Sequence, residues 1–148
     1  MQILYDEQIQ INASLEKVWE ALCTSDQRSK WQEGVQSAKL LYGSEGYRGA
    51  KTELVLENSG KKIVEHVHRS RPFERLQTQF QLGDCSYQQI VYLSRTDEDH
   101  TLLTYHCKQE LSGGWRRVLN IRPSIPECVK PSIFISMANY LEKTTSAA

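Results

Sequence analysis

Two histidines, His66 and His68, stand two residues apart in a segment whose apolar and polar residues alternate. Residues at this spacing point to the same side of a β-strand, so the two imidazoles could together bind a metal ion. The opposite row, Ile63, Glu65 and Val67, is the better candidate for the inner face, which turns the histidines to solvent. Because zinc sites need three or four protein ligands and no third ligand lies nearby in sequence, we predict no metal site.

Glu65 and Arg69 lie on the same predicted row as Val67. If this row points inward, the two side chains form a buried acid and its cation, or a general acid/base pair. The alternative is a cross-strand ion pair near the rim of the sheet, which contributes little to stability. We favour the ion pair.

Cys107 stands two residues after Tyr105 and could act as a nucleophile, but no histidine is placed to activate it, and buried thiols are usually inert. The cysteines are widely spaced, without a Cys-x-x-Cys pair: Cys23, Cys85, Cys107 and Cys128. We therefore predict reduced thiols rather than a disulfide framework. No phosphate-binding loop, nucleophile elbow or dinucleotide fingerprint is present.

The composition is that of a globular protein with no overall electrostatic bias. The chain has 148 residues, which predicts one domain over 1–148, and its 18 basic and 18 acidic residues give zero formal net charge. No basic field favours nucleic acid or anionic lipid, and no acidic field repels them. The first residues show no cationic leader, and no apolar run is long enough to span a bilayer, so we expect a cytoplasmic protein without stable membrane insertion.

Alternation of apolar and polar residues predicts most of the secondary structure. Ser14 is a suitable N-cap for a helix over 15–23, and a second short helix is predicted over 27–32. Predicted strands occupy 3–11, 35–42, 50–58, 61–70, 74–82, 85–95 and 101–111. This sheet must bury one face, and the tail from Gly113 to Lys143 holds the only long helical pattern that could cover it.

The tail contains Pro123, Pro126 and Pro131, which cannot all lie inside one straight helix. Ser124 with Glu127 three residues later fits a new helix start, and Pro131 fits a first-turn position. We predict a short helix near 114–122, a broken middle, and a firm helix over about 131–143.

Three segments placed on this element order resemble the START-like helix-grip superfamily, which includes the birch-pollen-allergen fold, polyketide cyclase/dehydrase-like proteins and lipid-transfer domains. IQINASLEKVWEALCTSDQRSKW (9–31) is similar to the entry strand and helix pair, GYRGAKTEL (46–54) to the glycine turn, and HRSRPFERLQTQF (68–80) to a proline-containing hairpin. The resemblance implies an α+β fold, a seven-stranded antiparallel sheet curled around a long C-terminal helix, with two short helices after the first strand. The prolines of the tail depart from the uninterrupted family helix.

The resemblance also implies an apolar cavity between sheet and helix. Without the resemblance, the inward-facing rows of apolar residues are simply a hydrophobic core. With the resemblance, the same residues are predicted to contact a ligand. The predicted lining residues are Trp31, Leu54, Leu56, Glu65, Val67, Arg69, Phe80, Tyr87, Tyr105, Trp115, Phe134 and Met137. The tyrosines and Trp115 would each bring one polar group to an apolar wall. The predicted partner is a small hydrophobic molecule, with no cofactor and no nucleic acid.

Three functions remain open at this point. The first is binding or transport of a lipid, polyketide or isoprenoid-like compound in the cavity, which we favour. The second is a cyclase- or dehydratase-like acid-base reaction in the same cavity, with Glu65, Arg69 or a wall tyrosine as proton carrier. The third is a cochaperone-like interaction module with a filled cavity. A free sheet edge could support a dimer, and the sequence leaves the oligomeric state open.

Overall fold

The computed structural model of the protein describes residues 2–111, 119 and 124–146. Its elements, in chain order, are β1 (Gln2–Ile11), α1 (Leu15–Cys23), α2 (Ser25–Trp31), β2 (Val35–Tyr42), β3 (Lys51–Leu56), β4 (Lys62–Arg71), β5 (Arg75–Leu82), β6 (Cys85–Asp97), β7 (His100–Leu111), a 3-10 helix (Glu127–Val129) and α3 (Ser132–Ser146). Each predicted strand is present within a few residues of its expected bounds.

The seven strands form one antiparallel sheet in the order β1-β7-β6-β5-β4-β3-β2. Alternate residues of the central strands are buried on the face that meets the helices. The helix α3 supplies Phe134, whose ring centroid lies 4.7 Å from that of Tyr105 on β7 and 6.0 Å from that of Trp31 on α2. The predicted α+β fold, a seven-stranded antiparallel sheet with a C-terminal helix, is confirmed.

The helix α1 begins where its N-cap was expected. The Ser14 hydroxyl accepts the Lys17 backbone N–H at 3.3 Å, and Val18 and Leu22 are buried. The helix α2 begins at Ser25, earlier than predicted, because the Glu45 carboxylate reaches from the β2–β3 loop and accepts the Ser25 backbone N–H. A carboxylate at a helix N-terminus satisfies an otherwise orphaned donor.

A β-bulge in β4 contradicts the prediction that Arg69 lies on the inner face. Pairing with β5 runs from Val67 opposite Thr78 to Arg69 opposite Gln77, so one extra residue, His68, interrupts the alternation. Ile63, Glu65 and Val67 are buried as expected, whereas Arg69 is exposed. The prediction that Arg69 shares the inner row of Glu65 is therefore wrong, because the bulge reverses the faces beyond Val67.

The helical pattern of the tail is interrupted as predicted, although the next helix does not begin at the predicted residue. The 3-10 helix begins at Glu127 with the extended Pro126 in the N-cap position and no side-chain cap, so the predicted Ser124 cap is wrong. A firm helix follows from Ser132, and the Pro131 carbonyl accepts the Phe134 N–H at 3.0 Å. Apart from Leu119, the short helix predicted near 114–122 lies outside the described residues. In residues 2–111 and 124–146, no helix is long and apolar enough to cross a bilayer.

The β2–β3 loop is held against α1 and β4 at Gly46. This glycine has a φ of +80°, its carbonyl accepts the Ser70 hydroxyl, and a Cβ there would lie 2.7 Å from the Cys23 sulfur. Gly49, in the same loop, has a φ of +92° and nothing within 4 Å of the corresponding position. Of these two glycines, Gly46 alone is therefore needed for close packing as well as for backbone conformation.

We expect Gly46→Ala to lower the free energy of unfolding more than Gly49→Ala does. Both substitutions strain a left-handed backbone position, but only the first forces Cys23 aside, and overpacking costs about 1–3 kcal/mol. Urea unfolding measures the difference. Equal losses in the two variants would contradict tight packing of the loop.

Candidate functional site

The interior contains a bidentate ion pair between α2 and β4. Arg28 Nη1 donates to Glu65 Oε1 at 3.0 Å, and Arg28 Nη2 donates to Glu65 Oε2 at 2.9 Å. The exposed fractions of the two residues are 6% and 4%, so the pair is removed from water. Burial by itself lowers the pKa of Arg28, but the Glu65 carboxylate opposes this, and the pKa of Arg28 ends above its ordinary value.

The ion pair is connected to the segment before α3. Arg28 Nε donates to Gln32 Oε1 at 2.6 Å, and Gln32 Nε2 donates to the Cys128 carbonyl at 3.0 Å. The guanidinium also lies 5.9 Å from the centre of the Trp31 ring. One continuous set of hydrogen bonds therefore joins β4, α2 and the 3-10 helix, with each buried polar side chain satisfied.

A second set of hydrogen bonds fixes the same segment from the sheet. The Tyr105 hydroxyl donates to the Val129 carbonyl at 2.7 Å and accepts from Gln89 Nε2 at 2.9 Å. Two neighbouring carbonyls, of Cys128 and Val129, are thus bound by buried side chains from α2 and β7. The 3-10 helix is positioned by polar contacts as well as by its buried apolar residues.

An internal cavity borders the ion pair. The volume open to the centre of a water molecule is about 20 Å³, which is room for one or two waters. Its lining combines apolar groups with the polar side chains described above: Leu22, Arg28, Trp31, Gln32, Glu65, Leu76, Thr78, Gln89, Val91, Ile133 and Phe134. In this conformation the helix α3 and the rings of Trp31 and Phe134 fill most of the space between helices and sheet.

A larger groove lies on the other side of the 3-10 helix. Its volume is about 230 Å³, and it is bounded by the β3–β4 turn and by Ser124–Cys128. Cys128 lines this groove, and its carbonyl binds Gln32, which lines the internal cavity. The Gln32–Cys128 hydrogen bond therefore links the lining of the cavity to the lining of the groove.

The structure brings three of the predicted lining residues, Trp31, Glu65 and Phe134, to the internal cavity. Others are buried in the core without bordering it: Leu54, Val67, Phe80, Tyr87, Tyr105 and Met137. Leu56 is buried beside the groove, Arg69 is exposed, and Trp115 lies outside the described residues. The role of all these residues in ligand binding stays a prediction.

The sequence analysis missed the polar residues that define the site, above all Arg28, Gln32 and Gln89. Arg28 stands three residues before Trp31, so both share one helix face, and a cation on an apolar face is a signal for a buried partner. Gln89 lies on the inward row between Tyr87 and Val91. The identity of Glu65's partner required tertiary structure, since 37 residues separate it from Arg28.

The buried hydroxyls and thiols are held in their neutral forms. Burial raises the pKa of Tyr87 to about 12 and that of Tyr105 well above its ordinary value. Burial likewise raises the pKa of Cys107 to about 11 and that of Cys128 to about 12. A thiol with a raised pKa is a poor nucleophile, so Cys107 is unsuited to covalent catalysis.

The histidines lie on the outer face of the sheet. His66 is half-buried and His68 exposed, with ring centroids 6.3 Å apart. His106 lies on the same face, with Nδ1 3.2 Å from Asp6 Oδ1. Among the described residues, no three His, Cys, Asp or Glu side chains group as metal ligands.

Comparison with known proteins identifies the architecture. No family model and no curated protein matches the chain. Among solved structures, a START superfamily protein from Mycobacterium smegmatis superposes with a TM-score of 0.61 at 17% identity, covering 98% of this chain and 93% of that protein. The chain has the START-like helix-grip fold.

Two further helix-grip structures extend the comparison. Norcoclaurine synthase from Thalictrum flavum, in complex with dopamine and hydroxybenzaldehyde, superposes with a TM-score of 0.63 at 10% identity, covering 97% of this chain and 86% of that one. DynU16, a protein of the dynemicin biosynthetic locus, gives 0.65 at 18% identity and 94% coverage of this chain. The chain spans 47% of the length of DynU16. At these identities the likeness shows the helix-grip fold and nothing finer.

We expect Arg28→Met to lower the free energy of unfolding by about 3–5 kcal/mol, because it leaves the Glu65 carboxylate buried without its cation. The double variant Arg28→Met/Glu65→Leu should recover most of this loss, since no charge then remains buried. Urea unfolding measures all variants. Arg95→Met, which breaks the exposed pair with Glu16, is the control and should change stability little. A double variant at least as unstable as Arg28→Met would contradict this account.

The buried thiols should make the fold sensitive to alkaline pH. The ordinary thiol pKa is 9.0, so above this pH the unfolded chain loses protons that the folded chain keeps. Stability is therefore fully present below about pH 9 and decreases as pH rises towards the folded-state pKa of about 12 for Cys128. Replacing Cys128 by Ala should reduce the slope of unfolding free energy against pH by up to about 1.4 kcal/mol per pH unit. Urea unfolding from pH 8 to about pH 11 measures this; an unchanged slope would contradict it.

Proposed function

We propose that this helix-grip domain binds a small organic molecule with an apolar body and one polar group, in the space between the sheet, α2 and the tail. The observation that carries the proposal is the Arg28–Glu65 pair, buried beside a cavity that is otherwise lined by apolar residues and by the polar side chains of Gln32, Thr78 and Gln89. A few convergent polar groups in an apolar pocket are the usual pattern of a small-molecule site. The apolar body contributes about 0.8 kcal/mol for each buried CH₂ group, and the polar group sets the orientation.

The ion pair supports a binding function because a buried ion pair contributes little to the net stability of a fold. Burying two charges costs several kcal/mol each, and well-packed apolar residues often serve as well. Arg28 also retains hydrogen-bonding capacity: of the five N–H donors of a guanidinium, the bonds to Glu65 and Gln32 use three. Two donors remain for a ligand carbonyl, carboxylate or hydroxyl.

A ligand larger than water requires the wall of the cavity to move. Cys128 beside the groove is bonded to Gln32 beside the cavity, and Pro126 and Pro131 flank the 3-10 helix. Displacing this helix would break the hydrogen bonds of Gln32 and Tyr105 to its carbonyls and join the two spaces. We propose that the 3-10 helix, flanked by these prolines, is the hinge that admits a ligand; hydrogen exchange as slow there as in the central strands would count against it.

The acid-base alternative receives less support from the same geometry. Both oxygens of Glu65 already accept hydrogen bonds from Arg28, so proton transfer through Glu65 would have to disrupt the bidentate pair. Tyr87 and Tyr105, which were predicted to line the cavity, do not border it; burial raises the pKa of both, and Tyr105 is already bonded to Gln89 and Val129. Arg69 is on the outer face. A binding function therefore accounts for the site better than proton transfer does.

The small volume of the internal cavity favours a second candidate, the interaction module. If the interior never opens beyond about 20 Å³, the rings of Trp31 and Phe134 are structural and the outer surfaces carry the function. The two functions differ in what occupies the cavity beside Arg28: a ligand, or only the side chains of the protein itself. A substitution that fills this cavity distinguishes them.

Val91→Phe is the blocking variant, because Val91 lines the cavity and is buried. Ile90→Phe is its matched control, because the neighbouring residue points to the opposite face of the same strand. We expect the wild type to bind an environment-sensitive apolar dye at one site. Val91→Phe should weaken dye binding by at least about ten-fold, since the added ring occupies the space, whereas Ile90→Phe should leave it unchanged.

Circular dichroism establishes that both variants are folded before dye titration. Equal affinity of Val91→Phe and wild type would place the dye elsewhere and contradict the proposed site. Absence of dye binding to the wild type would favour the interaction module instead.

A further inference from the structure

The β4–β5 hairpin presents an aromatic residue in a backbone conformation that normally requires glycine. The Glu74 N–H donates to the Arg71 carbonyl at 2.9 Å, with Pro72 and Phe73 as the central residues of the turn, and Phe73 has a φ of +66°. A turn with proline second and a positive φ third favours glycine at the third position. Phe73 nevertheless stands there with 43% of its surface exposed. A strained position occupied by an exposed aromatic ring indicates a functional constraint.

Two further aromatic side chains lie beside this turn. The Trp19 ring is tilted against that of Phe73, with 5.8 Å between centroids. Trp19 also borders Gly46, with its Cζ2 3.7 Å from the position of a Cβ there, and the next residue, Tyr47, is 58% exposed. The hairpin tip and the β2–β3 loop therefore both border Trp19, with Phe73 and Tyr47 as their exposed aromatic residues.

Four arginines lie on the same two segments: Arg48 in the β2–β3 loop, and Arg69, Arg71 and Arg75 on the strands of the β4–β5 hairpin. Arg71 and Arg75 are direct cross-strand partners, and Arg69 lies one pair further on the same outer face. Arg48 precedes Gly49, whose N–H bonds the Val67 carbonyl at the edge of β4. Within the described residues, only Arg71 forms a salt bridge, an exposed one with Glu74 at 3.0 Å, and Arg75 Nε is buried without a hydrogen-bond partner.

This arrangement is unfavourable for the isolated protein, since like charges placed directly opposite each other on a sheet repel. It becomes favourable beside a negatively charged surface. Because the chain has zero net charge, the cluster is a local feature and not part of a general basic field.

We propose that the arginine–aromatic surface, made of Trp19, Tyr47, Arg48, Arg69, Arg71, Phe73 and Arg75, docks onto anionic lipid bilayers. Aromatic rings are favoured at the headgroup level, and arginines beside them bind lipid phosphates while their stems remain in the interface. Phe73 stands on a hairpin tip, which suits entry into a soft headgroup layer better than contact with a groove of a folded partner. Docking would place the domain where an apolar ligand is exchanged, but the proposal stands independently of the internal site.

Vesicle co-sedimentation tests this docking with the full chain and no added ligand. We expect binding to vesicles of phosphatidylcholine mixed with phosphatidylglycerol, and none to vesicles of phosphatidylcholine alone. The partition constant should fall as salt is raised, because screening weakens the attraction. Each arginine near an anionic surface changes partitioning by about five-fold, so Arg69→Gln/Arg75→Gln should bind about 25-fold more weakly.

Two controls separate local docking from net charge and from misfolding. Arg95→Gln removes one positive charge at a site already paired with Glu16 and should retain wild-type partitioning within about two-fold. Phe73→Gly places the preferred residue in the turn, so it should fold at least as readily as judged by thermal unfolding. It should nevertheless partition several-fold more weakly, which a merely structural role of Phe73 does not predict.

Three results would overturn the proposal. The first is a wild-type protein that does not bind anionic vesicles at low salt. The second is a decrease in vesicle partitioning for Arg95→Gln as large as the decrease per arginine in the double variant. Such a result would indicate nonspecific charge attraction. The third is release from vesicles by inorganic phosphate beyond the effect of sodium chloride at equal ionic strength, with Phe73→Gly unaffected, which would assign the arginines to a free anion.

Discussion

The buried pair of Arg28 and Glu65 is the interaction on which the interior of this helix-grip domain depends. It fixes α2 against β4, and through Gln32 it reaches the Cys128 carbonyl, so it also positions the segment before α3. Two desolvated charges must remain together, because separating them would leave either one buried without a partner. The pair therefore restricts how the helices and the tail can move, and any opening of the cavity must occur around it.

The order of elements could be predicted from the sequence because each depends on local pattern. Alternation placed all seven strands, Ser14 marked the start of α1, and the prolines located the break in the tail. The starts of α2 and of the 3-10 helix were misplaced. In the first case the Glu45 carboxylate, distant in sequence, determines where the helix begins, and in the second Pro126 occupies the N-cap position expected for Ser124.

The candidate site was less accessible to sequence analysis for two physical reasons. A single bulge at His68 changes the faces of all residues beyond it, which is why Glu65 is buried and Arg69 is not. The actual partner, Arg28, comes from a helix on another layer, and only the fold brings it within 3.0 Å of the carboxylate. Inward apolar rows were predicted well, whereas the polar residues among them depend on pairs that local periodicity does not reveal.

Native mass spectrometry of the freshly purified protein is the most direct test that this interior receives a ligand. The account predicts a population carrying one additional small molecule per chain, which is released by organic extraction and consists of an apolar body with one hydrogen-bonding group. A protein that shows only its own mass, and that gains none when mixed with an extract of its host cells, would contradict a ligand-binding interior.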